Sequence, residues 1–124
     1  MHVDDTGPAS RVRVGGPECA QPYDASLLNI SAMSYGALSG NAVHALSAGA
    51  RLAGCYHNTG EGGISTHHKA GGGDLVWNLG TGYFACGRAV GDGGQRAFCA
   101  EQFEQNAALP AVKMIEIKLS QATE

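Results

Sequence analysis

The spacing of apolar and polar positions changes several times along the chain, and each change marks an element. Arg11-Val12-Arg13-Val14 alternates and stops at Gly15-Gly16-Pro17, which predicts a short strand and a turn. Ser26 to Ala32 is a short, mostly apolar run of the kind that forms a strand covered on both faces, and it breaks at Met33-Ser34-Tyr35-Gly36. Helical spacing follows. Val43, Leu46 and Ala50 fall on one face with Ala42, Ala45 and Ala53 beside them, Ser39 stands where an N-cap belongs, and Gly54 where the helix should stop. The small residues on that face let the helix lie close to a sheet. Cys55-Tyr56-His57 reads as a second strand that runs into Asn58-Thr59-Gly60-Glu61-Gly62-Gly63.

A polar, glycine-rich excursion spans 65–73. Leu75 to Leu79 reads as an extra strand closed by Gly80 and Gly82, and Gly91 to Gly94 as a loop. The segment 97–108 reads as a helix with Phe98, Phe103 and Ala107 among its buried positions. Val112 to Leu119 alternates Val, Met, Ile and Ile with Lys, Glu and Lys, as a strand does. Residues 1–10 read as a loose leader to one domain over 11–124, with no internal repeat.

Strand, helix, strand, excursion, helix, strand is the order of parallel βαβ units, so the expected fold class is α/β. Ligands in such sheets bind where strands end at their C-termini. Three of those ends carry unusual residues: Met33 to Gly36, Asn58 to Gly63, and Lys118-Leu119-Ser120-Gln121.

Composition narrows the picture. A chain of 124 residues with 44% hydrophobic content is enough for one domain with a core and excludes a disordered polymer. Nineteen glycines are clustered rather than periodic, which favours tight functional loops over collagen. A formal charge of -3 without a basic run argues against nucleic acid or an anionic membrane as partner. No stretch approaches the roughly 20 apolar residues of a membrane span, and the polar start Met1-His2-Val3-Asp4-Asp5 is no secretory signal, so the expected compartment is the cytoplasm. Cys19, Cys55, Cys86 and Cys99 form no C-x-x-C pair, which points to reduced, mostly buried thiols.

Each strand end has a chemical reading beside a bland one. Ala32, Met33 and Ser34 pair small residues with a soft thioether, which suits a flat aromatic cofactor; an ordinary strand-to-loop transition with a core Met has the same look. Gly60, Gly62 and Gly63 let backbone approach a ligand around Glu61, which can orient a substrate amine or the polar edge of a cofactor; a mobile turn with a solvated Glu is the alternative. Lys118 can stabilise negative charge on a reduced flavin and Gln121 can bond its pyrimidine edge. Alternatively, Lys113, Glu116 and Lys118 are the polar side of an edge strand. His57, His67 and His68 near Glu61 invite a metal reading, but the adjacent pair diverges and reads as solvated, and His44 as a surface or packing residue. No metal site is expected. Trp77 and Gly80 to Phe84 read as structural, a packed lid.

Together these segments resemble the FMN-binding synthase domain of the glutamate synthase family, in its stand-alone form. The resemblance runs through Leu28 to Ser39, Asn41-Ala42-Val43, Tyr56 to Gly63, Gly72 to Trp77, Gly80 to Phe84 and Val112 to Gln121. Several ordered motifs in one chain are far more specific than a single glycine loop. The resemblance implies the N-terminal part of a (β/α)8 TIM barrel with FMN at its C-terminal face. It implies an oxidoreductase acting on CH–NH2 donors that makes L-glutamate from 2-oxoglutarate and ammonia, through 2-iminoglutarate. In that picture Ala32, Met33, Ser34, Gly60, Glu61, Lys118 and Gln121 bind the flavin, with Lys118 and Glu61 catalytic.

The chain departs from the family after Ser120-Gln121, where Ala122-Thr123-Glu124 replaces Gly-Ala-Lys-Pro-Gly. Later strands, the FMN phosphate site and the cysteines of a 3Fe–4S cluster are not found in this sequence. A barrel needs about 250 residues, so the expectation is an incomplete barrel. It is either a catalytically inactive fragment or one half of an enzyme completed as a homodimer or by a complementary half-barrel. A small-anion-binding or interaction module is a third reading, and the electron donor is not specified.

Overall fold

The computed structural model describes residues 10–120, so the leader (Ser10 apart) and Gln121 lie outside the described residues. Its centre is a parallel sheet of three strands, β3 (Tyr56–Asn58), β4 (Asp74–Leu79) and β7 (Val112–Ile117), in that spatial order. Chain order and spatial order agree, because each return passes through helical or hairpin excursions on the way back to the start of the next strand. β4, read from sequence as an extra strand, is the central one. Every residue from Leu75 to Leu79 is buried, as a strand with both neighbours and both faces covered should be.

Pairing fixes the faces. Tyr56 is opposite Asp74, Asn58 opposite Val76, Val76 opposite Met114, and Asn78 opposite Glu116. Partners share a face and alternate residues change face, so Asn58, Val76, Asn78, Met114 and Glu116 line one side of the sheet. His57, Leu75, Trp77, Leu79 and Ile115 line the other. A register shift between Leu75 and Val76 sets Leu75 against Val112 and leaves Lys113 as the extra residue of a bulge. Val112 and Ile115 therefore both pack against the cluster of Trp77, Leu79 and Cys86.

That second side is covered by helices. α1 (Gly40–Ala53) is bounded as the sequence predicts: Ser39 Oγ accepts the Ala42 N–H, and Gly54 takes the left-handed conformation at φ 69°, donating its N–H to the last carbonyls. Val43 and Ala50 are buried and Leu46 half-buried, while Ala45 and Ala53 face out. The third buried position is Ser47, whose hydroxyl donates to the His68 carbonyl at 2.7 Å. α3 (Ala100–Ala107) brings Phe103 to Trp77, ring centroids 5.5 Å apart.

Four sequence expectations are corrected. The run 26–32 is not a strand. β2 is Tyr23–Ser26, antiparallel to β1 (Arg11–Val14), and beyond it only Ile30 bridges to His57 in parallel. Side chains replace the ladder there: Ser26 Oγ accepts the Leu28 N–H, Asn29 Nδ2 donates to the Ser26 carbonyl, and Asn29 Oδ1 accepts the Tyr56 N–H. The excursion 65–73 contains a helix, α2 (Thr66–Ala70), started by a capping box between Ser65 and His68. The helix expected at 97–108 begins at Ala100, since residues 97 and 98 belong to β6 (Gln95–Phe98), hairpinned to β5 (Gly87–Val90) across Gly91–Gly94. Phe98 is consequently exposed at 45%, though Phe103 and Ala107 pack on the core as expected. The His67–His68 pair is not solvated, because His68 is fully buried.

Two thiols match the expectation of burial, Cys55 and Cys86; Cys99 is half-buried and Cys19 exposed, and all four are free. His44 lies on the exposed face of α1. No helix among the described residues is long and apolar enough to cross a membrane.

Candidate functional site

Parallel strands deliver their C-terminal ends to one place, and here those ends touch. β3 runs out through Asn58, whose carbonyl accepts the Met33 N–H at 3.3 Å and whose Oδ1 accepts the Gly60 N–H at 2.9 Å. One asparagine thus ties the Met33 turn to the glycine loop. Gly60 is at φ 69° and has no room for a side chain, since a Cβ there would lie 2.9 Å from the Ser34 nitrogen. The loop between β3 and α2 then carries Glu61 against Gly80, the first residue after β4, where a Cβ would meet that of Glu61 at 2.9 Å. Finally Lys118, one residue past β7, donates its N–H to the Leu79 carbonyl and its Nζ to Glu61 Oε2 at 3.0 Å.

The structure therefore brings Met33, Ser34, Gly60, Glu61 and Lys118 to one end of the sheet. Ala32 is exposed beside them, and Gln121 lies outside the described residues. Glu61 and Lys118 have side chains 41% and 37% exposed, so their ion pair is open to solvent and to an incoming ligand. An open groove of about 370 Å³ runs along the same side of the sheet, bounded by Ile30, Ser31, Ala32, Asn58 and Glu116 among others.

Beneath the strand ends lies a polar layer that sequence reading did not single out. Asn78 Nδ2 donates to Glu116 Oε1 at 2.7 Å, and the Asn78 N–H donates to Thr59 Oγ1 at 3.1 Å. Asn78 Oδ1 is buried with no hydrogen-bond partner among the described residues. The signal was present as an Asn inside an otherwise apolar strand and a Glu two residues before Lys118. The alternative that makes Lys113, Glu116 and Lys118 the polar side of an edge strand holds for the strand, since β7 is outermost among the described residues, but not for one common side: Glu116 lines the groove, Lys113 sits in the bulge and Lys118 follows the strand.

Behind the first strand end, β3 and α2 hold two histidines. His57 and His68 are both 0% exposed, with rings 5.3 Å apart. Burial, and secondarily repulsion from His68, push the His57 imidazole down to about 4, and burial lowers His68 as well. Both are neutral at pH 7. No cluster of three or more His, Cys, Asp or Glu side chains suited to a metal ion occurs among the described residues.

A carboxylate and an ammonium that meet across the end of β4 from its two flanking strands, with close-packed glycines beside them, can receive a polar, flat ligand and balance either sign of charge on it. The comparisons with known proteins cover these segments together with nearly all of the rest of the chain. Residues 18–124 match the conserved region in glutamate synthase. The chain is 39% identical over 123 residues to the glutamate synthase large subunit-like protein YerD of Bacillus subtilis (strain 168), covering 98% of this chain and 22% of that protein. The chain thus spans about a fifth of that relative's length. No solved structure matches it.

Proposed function

The chain belongs to the glutamate synthase family, and from that premise we propose that it forms the flavin-facing part of an FMN-dependent oxidoreductase. The reaction is reductive amination of 2-oxoglutarate with ammonia, through 2-iminoglutarate, to L-glutamate. Its sheet, whose strands keep chain order in space, is then the first section of a (β/α)8 barrel, and its compartment is the cytoplasm.

The observation that carries this reading is the Glu61–Lys118 pair at 3.0 Å, placed where the ends of β3, β4 and β7 meet. The cradle fits a flavin ring in kind. Gly60 has no Cβ to obstruct the Ser34 backbone, Ala32 is small and exposed, and a cation stands at the rim. Ala32, Met33, Ser34 and Gly60 would hold the ring, with Lys118 and Gln121 toward its polar edge. When bound, FMN supplies the hydride that reduces the imine.

The chain's own groups do the rest. The Lys118 ammonium stabilises negative charge on the polar edge of the ring without transferring a proton. Glu61 holds that ammonium in place and presents its second oxygen to the cationic iminium of the substrate. The Asn78–Glu116 layer keeps the floor of the groove polar and fixed, so that neither catalytic side chain must reorganise when charge develops.

The test is a titration of the isotopically labelled chain with FMN, followed by NMR. Resonances of Met33, Gly60, Glu61 and Lys118 should shift together while those of Cys19 and Gly91 stay put, and Lys118→Met should weaken the response about tenfold. No response at millimolar FMN, or shifts centred elsewhere, would sink the flavin assignment.

A further inference from the structure

Two neighbouring histidines on α2 point in different directions and grip the same turn. His68 Nε2 lies 3.1 Å from the Met33 carbonyl oxygen, while its Nδ1 lies 2.8 Å from Ser65 Oγ and accepts the Ser65 N–H at 3.1 Å. Because Nδ1 accepts a backbone N–H, the ring is neutral with its proton on Nε2, and that proton is donated to Met33. His67 packs against Tyr35 with centroids 4.8 Å apart and ring planes tilted by 46°, and its ring fills the space that a side chain at Gly40 would occupy. Lacking a strand ladder around it, the segment 31–36 is held at its carbonyls by little else: the Ser34 carbonyl accepts the Leu38 N–H, and Met33 is bonded through its own N–H to Asn58.

We propose that His68 is a positioning residue that fixes the Met33 carbonyl, and with it the flavin-facing turn Ala32 to Ser34, with His67 steadying the same turn through Tyr35. The proposal rests on the flavin reading above and adds a residue that touches neither flavin nor substrate. Position 68 is the third residue of the helix, where a capping box ordinarily has Glu or Gln. Either would complete the cap. Histidine adds a rigid second donor on the far side of the ring, aimed out of the helix at Met33, which Glu cannot supply.

Three variants of the full chain separate positioning from capping, read by amide hydrogen exchange and by the FMN titration. His68→Leu removes both bonds, and exchange at Met33, Gly36 and Leu38 should quicken roughly tenfold, the factor that one lost buried hydrogen bond carries. FMN response should weaken about as much. His68→Gln offers an oxygen to Ser65 and an amide N–H to Met33, and should restore both readouts to within about threefold. Ser65→Ala loosens the cap but keeps the donor, so exchange at Lys69 and Gly72 should rise while Met33 to Leu38 holds.

Equal loss at Met33 to Leu38 in Ser65→Ala and His68→Leu would overturn the proposal, since the histidine would then matter only to its helix. Failure of His68→Gln to rescue would overturn it too. If His68→Leu does not fold, the wild-type imidazole nitrogen spectrum decides: a proton on Nε2 supports the clasp, and a proton on Nδ1 ends it. Normal FMN binding by a folded His68→Leu defeats the positioning role and leaves the flavin reading standing. A wild-type chain blind to FMN defeats the flavin reading, while the exchange pattern still decides whether His68 holds the turn.

Discussion

His57 shows what a single buried residue does to the chain's acid response. In the unfolded chain its imidazole takes up a proton at the ordinary 6.5, whereas the folded chain resists until about 4. Between those values the unfolded state binds more protons, so stability is complete above 6.5 and is lost as pH falls toward 4. At 1.36 kcal/mol per pH unit, His57 alone removes about 2 kcal/mol by pH 5, and His68 adds in the same direction. Urea unfolding at pH 7 and pH 5 measures this, and His57→Leu should flatten most of the difference; an unchanged pH slope in the variant would place the loss elsewhere. Glu61 and Lys118 make the opposite case. Their pair is about two-fifths exposed, so breaking it should cost at most about 1 kcal/mol of stability. Glu61→Gln should therefore melt close to the wild type yet weaken its FMN response, by no more than the roughly tenfold expected of Lys118→Met. A large drop in melting temperature would mean that the pair serves the fold. At this scale the strand-end residues were legible from sequence, because glycine loops and a lone Lys at a strand terminus stand out against an apolar run. His68 was not, since its partner Met33 is 35 residues away and nothing local announces that one of two adjacent histidines is buried.

At the level of elements, legibility followed length and capping. α1 was readable at both ends because its 14 residues show the helical period and its caps are ordinary ones. Gly54→Ala should cost about 1 kcal/mol, as it forces a side chain into a left-handed conformation at φ 69°. Ser39→Ala should cost a similar amount by freeing the Ala42 N–H. Urea midpoints check both, and additivity in the double variant is expected because the caps are far apart. The five residues of α2 are too few to show a period, and a histidine in the capping box hides its start. The hairpin of β5 and β6 was missed for a different reason. Phe98 suits a strand and a helix face equally, and only its antiparallel partner Gly87 decides between them. Strand 26–32 failed because Asn29 and Ser26 spend their side chains on local backbone, a competition that apolar patterning does not register.

At the scale of the whole molecule, the central sheet stops sharing hydrogen bonds at β7, its edge strand among the described residues. That edge is not guarded in the usual manner. Ile117 and Leu119 are 63% and 89% exposed, and on the other flank Leu27 and Leu28 are 62% and 84% exposed. Edges so apolar pair with something or aggregate. Under the barrel reading proposed above, these two flanks are where further strands would join the sheet. Continuation can come from a second copy of the chain or from a complementary half-barrel, and the two differ in stoichiometry. Sedimentation of the chain alone should show concentration-dependent self-association. Adding a polypeptide that carries the later strands of the family's synthase domain should replace it with a one-to-one complex. FMN should then bind stoichiometrically, and the dithionite-reduced complex should form L-glutamate from 2-oxoglutarate and ammonia, an activity that Lys118→Met abolishes. A chain that remains monomeric at high concentration and ignores that polypeptide would show that its exposed leucines are tolerated and not shared. The polar groove above β3, β4 and β7 would then have to do its chemistry with no opposite wall.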